Sequence, residues 1–288
     1  MENRSEEIKI ELPNNKWIAA TIFYPPNSEI NGAIMIAPAT GIKRRFYASF
    51  ANYLADNGFG VITYDNQGIG DSLVGRLKQS KITLQDWGEE DMPAVLTALQ
   101  EYFPQVKYHL IGHSAGGQQV GLMHNWSELT SVFNVACSSG RIKNMKFPYL
   151  LKARFFMDVF IPLHNALFGY TKAQWLGMGE PLPRKVAAQW RTWCNGKGYV
   201  KTAFGKTIHM HWYDDVNLPS IWLNADDDDI AIDENVNDMI DVFTQIKVER
   251  LKLDPAEYGL KEIGHMKFFS RKNKVLWSLA IDWLKKTK

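Results

Sequence analysis

The sequence predicts an α/β fold with a mostly parallel central sheet and helices on both faces. Two continuous apolar runs, Gly32–Pro38 and Gly60–Tyr64, have the length and composition of strands that are buried on both faces. Segments with a helical spacing of apolar residues lie between these runs and the later ones, so strands and helices alternate along the chain. This alternation is typical of βαβ units, which form a parallel sheet through right-handed crossovers.

The chain is expected to begin with an antiparallel pair of strands. Glu6–Leu12 and Trp17–Tyr24 alternate between apolar and polar residues, and the Pro-Asn-Asn sequence at 13–15 between them has the composition of a turn. After the first buried strand, the apolar residues of Phe46–Asn57 recur at helical intervals. Gly58 is a suitable stop for that helix.

The middle of the chain continues the alternation of strands and helices. A helix is predicted over Trp87–Tyr102, with Pro93 in its first turns or at a kink. A short apolar strand follows from Tyr108, and Leu129–Ala136 is predicted as the sixth strand.

An interruption of about seventy residues follows the sixth strand. Residues 140–212 are too many for a loop in a compact domain, and they are rich in phenylalanine and tryptophan. They are predicted to form a helical cap inserted over the sheet, so that residues 1–139 and 213–288 form the core. The core is expected to resume with a strand, a helix, a strand and a closing helix at Pro219–Asn224, Asp233–Phe243, Val248–Leu253 and Lys274–Lys285.

Most aromatic residues of the cap are expected to pack it onto the core, and a few to line an apolar substrate pocket. The candidates for the pocket are Phe156, Trp190 and Trp193. Phe147–Gly169 approaches the length of a membrane span, but charged residues and a proline within it argue against a span. A role of this face at a membrane surface is left open.

Composition excludes several classes of protein. The formal net charge of +2 does not indicate a nucleic-acid partner. Cys137 and Cys194 form neither a disulfide framework nor a C-x-x-C motif, and no metal or cofactor is expected. The polar, acidic start does not have the pattern of a signal peptide, so a cytoplasmic location is expected. The sequence leaves open whether the chain forms a homo-oligomer.

The segment Tyr108–Gly117 carries the strongest motif of the chain. Residues 112–116 read Gly-His-Ser-Ala-Gly, the G-x-S-x-G pattern that places a serine hydroxyl on a strained turn between a strand and a helix. The glycines allow the turn to approach its neighbours closely. Ser114 is therefore the candidate nucleophile, with an oxyanion hole formed by the backbone N–H groups of Ala115 and of Thr40 in the loop after Gly32–Pro38.

A serine nucleophile needs a base, and the base needs an acid to orient it. For this turn the partners follow the serine in the order acid, then histidine. His265 lies after the last predicted strand and is the candidate base, whereas His113 is expected to be structural. Among the four consecutive aspartates 226–229, Asp228 is the candidate acid, and the others remain alternatives. The spacing of the run does not fit an EF-hand.

These segments resemble the α/β-hydrolase superfamily, in the branch of serine aminopeptidases, monoacylglycerol lipases and related esterases. The match rests on residues 36–41, 64–72, 112–117 and 264–265, and it extends in order over nearly the whole chain. It looks closest to a group of bacterial hydrolases with an APATG-type oxyanion loop and a tryptophan-rich cap. Two positions depart from the usual pattern: Pro38-Ala39 replaces His-Gly, and Gln67 replaces arginine.

The resemblance and the ordered residues predict a serine hydrolase that cleaves a small or medium apolar acyl ester through Ser114, His265 and Asp228. An acyltransferase, or a serine aminopeptidase or amidase, would use the same three residues. A ligand-binding protein without catalysis on the same scaffold is the alternative of another class.

Overall fold

The computed structural model describes residues 4–13, 15–27 and 29–287. The strands are β1 (Ser5–Leu12), β2 (Lys16–Phe23), β3 (Gly32–Ala37), β4 (Phe59–Tyr64), β5 (Tyr108–His113), β6 (Leu129–Val135), β7 (Tyr170–Thr171), β8 (Leu182–Pro183), β9 (Pro219–Ala225) and β10 (Lys247–Leu253). The α-helices are α1 (Ala48–Asp56), α2 (Leu84–Asp86), α3 (Met92–Tyr102), α4 (Ala115–Gln118), α5 (Tyr149–Arg154), α6 (Ile161–Leu167), α7 (Arg184–Asn195), α8 (Asp233–Ile240) and α9 (Ser278–Lys286).

Eight of these strands form one mostly parallel sheet, as the sequence predicts. Its order is β1-β2-β4-β3-β5-β6-β9-β10. The β1–β2 and β2–β4 pairs are antiparallel, and the other five pairs are parallel. Every residue of β3 and β4 is buried, which explains their unbroken apolar sequences. Of the turn predicted between β1 and β2, Asn14 lies outside the described residues.

The helices agree with the expected order but differ in detail. Helices α2 and α3 form one helical segment with a π turn between them, and Pro93 lies in the first turn of α3. Helix α4 has only four residues, and a 3-10 turn follows it at Val120–Leu122. The closing helix α9 begins later than predicted, and Val275 lies in the 3-10 turn before it with its side chain 53% exposed.

The segment between β6 and β9 contains helices, as expected, and also a small β-hairpin. Helices α5 and α6 are joined by a π turn at Phe155–Phe160. Strands β7 and β8 then form an antiparallel pair that leads into α7. This segment therefore has its own secondary structure between two neighbouring strands of the sheet.

A buried ion pair holds the loop after β3. Arg44 is 3% exposed, and its guanidinium lies 2.5 Å from the carboxylate of Asp65, which is fully buried. The backbone N–H of Arg44 also donates to Asp65, at 2.6 Å. Asp71 lies 2.7 Å from the same guanidinium. The cluster ties the segment after β3 to the segment after β4.

Replacing Arg44 with methionine is expected to lower the free energy of unfolding by about 3–5 kcal/mol, because Asp65 would stay buried without its partner. Urea unfolding followed by circular dichroism measures this loss. Arg45→Met is the matched control, since the Arg45 side chain is 67% exposed. The control is expected to change stability by less than about 0.5 kcal/mol. Equal losses in the two variants would contradict the prediction.

Candidate active site

Ser114 lies on a strained turn between β5 and α4. Its φ of 49° and ψ of −114° are unusual for a residue with a side chain. The turn is held because the Ser114 N–H donates to the Val135 carbonyl at 3.0 Å, and the Ser114 carbonyl accepts from the N–H groups of Gly117 and Gln118. The side chain of Ser114 remains partly exposed, so its hydroxyl is available to a ligand.

The glycines of the motif are required by contacts with the neighbouring backbone. A Cβ atom added to Gly116 would overlap the Ala37 carbonyl at the end of β3. A Cβ atom added to Gly112 would overlap the backbone of Gly117. Neither glycine has room for a side chain, so the sharp turn depends on both of them.

The structure brings Ser114, His265 and Asp228 together. His265 Nε2 lies 3.0 Å from Ser114 Oγ, and His265 Nδ1 lies 2.8 Å from Asp228 Oδ2. An ionised carboxylate only accepts hydrogen bonds, so Nδ1 carries the ring hydrogen and Nε2 can accept the Ser114 hydroxyl. The three residues come from the loops after β5, β9 and β10 and meet at one edge of the sheet.

The carboxylate of Asp228 is buried and well hydrogen-bonded. Its second oxygen accepts the backbone N–H groups of Ile230 at 2.8 Å and Ala231 at 2.9 Å. Burial by itself would raise the pKa of Asp228, but His265 and these two N–H groups outweigh burial and hold the pKa below its ordinary value. Asp228 therefore stays ionised opposite His265.

The other aspartates of the run have different partners. Asp226 forms an ion pair with Lys252, at 2.6 Å, and Asp229 is exposed. Asp227 accepts the backbone N–H groups of Ile263 at 2.9 Å and Gly264 at 2.8 Å. Asp227 thus anchors the loop that carries His265. Sequence reasoning did not identify this role, because nothing in a run of four aspartates indicates which one accepts hydrogen bonds from the backbone at Ile263, 36 positions later.

Replacing Asp227 with alanine is expected to lower kcat for a p-nitrophenyl ester about 10- to 100-fold. The His265 loop would lose two hydrogen bonds, and a displacement of the base of about 1 Å has an effect of that size. Steady-state kinetics of the variant measure the change, with Asp229→Ala as the control at an exposed position. Equal activity of the two variants would show that the His265 loop is held by other contacts.

His113 is buried and has a structural hydrogen-bond network, consistent with its predicted role. Its Nε2–H donates to the His265 carbonyl at 2.9 Å, so its Nδ1 accepts the Tyr47 hydroxyl at 2.7 Å. Tyr47 in turn accepts the Ala39 N–H at 3.0 Å. Burial, and to a lesser extent His265, lowers the pKa of His113 to about 3, so this ring stays neutral. Sequence reasoning missed Tyr47, which has no motif of its own.

The two predicted oxyanion-hole residues border the same cavity or the serine itself. Ala115 follows the serine directly as the first residue of α4, and Thr40 lines the same cavity as Ser114. Over the described part of the chain, the structure records no protein acceptor for the backbone N–H of either residue. The N–H of Ala39, by contrast, is occupied by Tyr47. The backbone N–H groups of Ala115 and Thr40 are therefore both without a protein acceptor among the described residues.

A cavity of about 510 Å³ opens over Ser114 and His265. Its walls are mainly apolar and come largely from the segment between β6 and β9. Of the three residues predicted to line a pocket, Phe156 and Trp190 do so, with their ring centroids 5.7 Å apart. Trp193 is not among the residues that line this cavity: it is 1% exposed, and its ring packs on that of Tyr199 with centroids 4.9 Å apart.

Neither a metal site nor a membrane span is found in the described ranges. No group of three or more histidine, cysteine, aspartate or glutamate residues described by the structure could hold a metal ion. No helix in this part of the chain is both long enough and apolar enough to cross a bilayer.

Comparisons with known proteins agree with the fold. The model of a family described as serine aminopeptidase, S33, matches residues 28–167. A soluble variant of monoglyceride lipase from Saccharomyces cerevisiae is 14% identical, with a TM-score of 0.71, over 100% of this chain and 97% of that chain. A thermophilic esterase from Thermogutta terrifontis is 15% identical, with a TM-score of 0.58, over 98% and 99% of the two chains.

A thermostable carboxyl esterase from Bacillus coagulans is 13% identical, with a TM-score of 0.59, over 97% of this chain and 99% of that chain. No curated protein matches the sequence. The shared sheet and its helices define the fold as that of the α/β-hydrolases. The family model covers residues 28–167, slightly less than half of the chain, and it agrees with this fold.

Proposed function

We propose that the protein is a serine hydrolase that cleaves esters of small or medium apolar acyl groups. The observation that carries the proposal is the continuous chain of hydrogen bonds from Ser114 through His265 to Asp228, with distances of 3.0 and 2.8 Å. A serine hydroxyl becomes a nucleophile when an adjacent base can take its proton, and this chain supplies the base and its orienting acid.

In the proposed mechanism, Ser114 Oγ attacks the ester carbonyl carbon while His265 Nε2 takes the hydroxyl proton. The negative charge on the carbonyl oxygen is stabilised by the N–H groups of Ala115 and Thr40. His265 then gives the proton to the departing alcohol, and the acyl group remains on Ser114. Water, deprotonated by the same ring, attacks the acyl-enzyme and releases the acid. Asp228 stabilises the imidazolium in both halves of the reaction.

The cavity supports an apolar acyl group. Its volume is in the range of pockets for small molecules, and Phe156 and Trp190 are among its apolar walls. The described residues that line it include no aspartate or glutamate. An aminopeptidase needs a negative group to bind the free α-ammonium of its substrate, so the cavity favours an ester over the substrate of the matched aminopeptidase family. The esterases and the monoglyceride lipase with this fold support the same preference.

We also propose that residues 140–212 form a cap domain over a core of residues 1–139 and 213–288. This division is supported by the position of α5 to α7, which lie between two strands of the sheet in sequence and supply much of the cavity wall. A cytoplasmic location is proposed on the two free, buried cysteines, which suit a reducing environment.

The test is covalent labelling of the purified protein with a fluorophosphonate probe, followed by mass spectrometry of the adduct. Labelling at Ser114, together with turnover of p-nitrophenyl esters and no turnover of aminoacyl p-nitroanilides, is the expected result. A panel of acyl chain lengths then identifies the preferred ester. Absence of labelling in the folded protein would support a ligand-binding protein without catalysis. Transfer of the acyl group to an added alcohol in preference to water would support an acyltransferase.

A further inference from the structure

An apolar stripe runs along the outside of the α5–α6 segment. It consists of six large apolar side chains at intervals of four residues, each exposed by between 50% and 75%. They are Phe147, Leu151, Phe155, Val159, Leu163 and Leu167. A contiguous exposed apolar surface of this kind marks a site of interaction with another apolar surface.

The stripe stays on one side of the helix because of the π turn. In a regular α-helix, a row of every fourth residue drifts around the axis by about 40° at each step. The π turn at Phe155–Phe160 is wider, so it rotates less per residue and takes back part of that drift. The opposite side, with Phe156, Met157 and Ile161, is buried. The segment therefore has two apolar sides, one packed inside the protein and one exposed.

The apolar stripe reaches the mouth of the active-site cavity. Phe155 belongs to the stripe, is 51% exposed, and also lines the cavity over Ser114. Leu176 is 46% exposed and lines the same cavity, and the neighbouring Trp175 is 62% exposed. Tryptophan is enriched where proteins meet the interfacial region of a membrane. The exposed apolar surface is thus continuous with the entrance to the site.

The charges around the stripe are strongly biased. Between residues 141 and 176 the chain has six basic residues and one acidic residue. The acidic residue, Asp158, lies 3.3 Å from Arg154 and 3.2 Å from Arg191, so its charge is compensated. Lys143, Lys146 and Lys152 are exposed. This part of the surface is positive although the whole chain has a formal charge of only +2.

We propose that the apolar stripe docks on an anionic lipid surface. The helix would lie in the plane of the interface, with its apolar side chains among the acyl chains and the basic residues at the anionic headgroups. A second copy of the chain fits less well, because a two-fold contact through the stripe would bring the two positive surfaces together. Docking in this orientation places the cavity mouth, at Phe155 and Leu176, against the lipid.

This position has a consequence that rests on the proposed function. An ester with a long acyl chain could pass from the lipid into the cavity without exposing that chain to water, whereas a short ester could enter from solution. Docking itself requires no catalysis, so it can be tested with a variant that lacks the Ser114 hydroxyl.

The test is flotation of the full chain with vesicles of phosphatidylcholine alone or mixed with phosphatidylglycerol. The wild-type protein and the Ser114→Ala variant are expected to float equally well with the anionic vesicles, and to be released as salt is raised. The variants Val159→Asp and Leu163→Asp are each expected to bind roughly tenfold or more weakly, since one buried apolar side chain contributes about that much to partition. Val275→Asp, at a similarly exposed position in the turn before α9, is the matched control.

Turnover of a short ester in solution by Val159→Asp and Leu163→Asp, at the wild-type rate, shows that both variants are folded.

No flotation of the wild-type protein, or flotation that is the same for the stripe variants, would overturn the proposal. Equal binding to neutral and anionic vesicles would overturn the role of the basic residues. A wild-type dimer that the stripe variants convert to a monomer, with no vesicle binding, would assign the stripe to a second copy instead. A protein that floats as expected but does not cleave esters would retain the docking surface and lose the proposed function.

Discussion

Replacing Ser114 with alanine is expected to lower turnover of p-nitrophenyl butyrate roughly a millionfold, as removal of the nucleophile does in the best-studied serine hydrolase. The expectation follows from the 3.0 Å contact between Ser114 Oγ and His265 Nε2 and the lack of another role for this hydroxyl. The backbone donors near the site would remain, so residual catalysis above the rate in water is expected. The initial rate with purified variant measures the loss.

The loss must be separated from misfolding. Alanine lacks only the hydroxyl, and the turn at Ser114 is held by backbone hydrogen bonds, so thermal unfolding is expected to be nearly unchanged. Ser278→Ala, at an exposed position of α9, is the matched control and is expected to keep full activity and full labelling by the fluorophosphonate. Ester turnover that survives in Ser114→Ala would remove the serine mechanism.

Replacing Asp228 with asparagine is expected to lower kcat roughly 10⁴-fold, as the equivalent change does in a serine protease. Asparagine preserves the size of the side chain but removes the negative charge that stabilises the imidazolium. The asparagine amide can also donate a hydrogen bond to His265 Nδ1. The ring hydrogen would then lie on Nε2, and Nε2 could no longer accept the proton of the Ser114 hydroxyl. Measurement of kcat and KM separately should place most of the loss in kcat.

The aspartate run supplies its own controls for this experiment. Asp226→Asn removes an exposed ion pair with Lys252, and Asp229→Asn changes an exposed residue, so both are expected to stay within about twofold of wild type. If Asp226→Asn or Asp229→Asn lost as much activity as Asp228→Asn, the loss in Asp228→Asn could not be assigned to its hydrogen bond with His265.

The fold could be predicted because its signals are local. Strands covered on both faces require unbroken apolar runs, and the residues of β3 and β4 are all buried. The turn at Ser114 could be predicted for a similar reason, because Gly112 and Gly116 have no space for a side chain and only glycine satisfies that condition. Because parallel strands end at a common edge of the sheet, His265 after the last strand could be predicted to lie near Ser114 after β5.

The roles of the individual cap and loop residues could not be predicted in the same way. Trp190 and Trp193 are three residues apart on α7 and have the same chemistry, but only Trp190 faces the cavity. Asp227 meets the backbone of the His265 loop and Asp228 meets the ring, although both are aspartates in one run. Such differences depend on the direction in which each side chain points, which composition and periodicity do not resolve.

By itself the sequence determined the alternating α/β architecture, the position of Ser114 on a turn whose flanking glycines have no room for a side chain, and the order in which the partners of the serine follow along the chain. Only the tertiary structure decided which aspartate faces the ring, which aromatic residues line the cavity, and that an exposed apolar row leads to its mouth. The reason is the range of the interactions: the first set depends on a residue and its near neighbours, whereas the second depends on distances between segments that are far apart in the chain and meet only after folding.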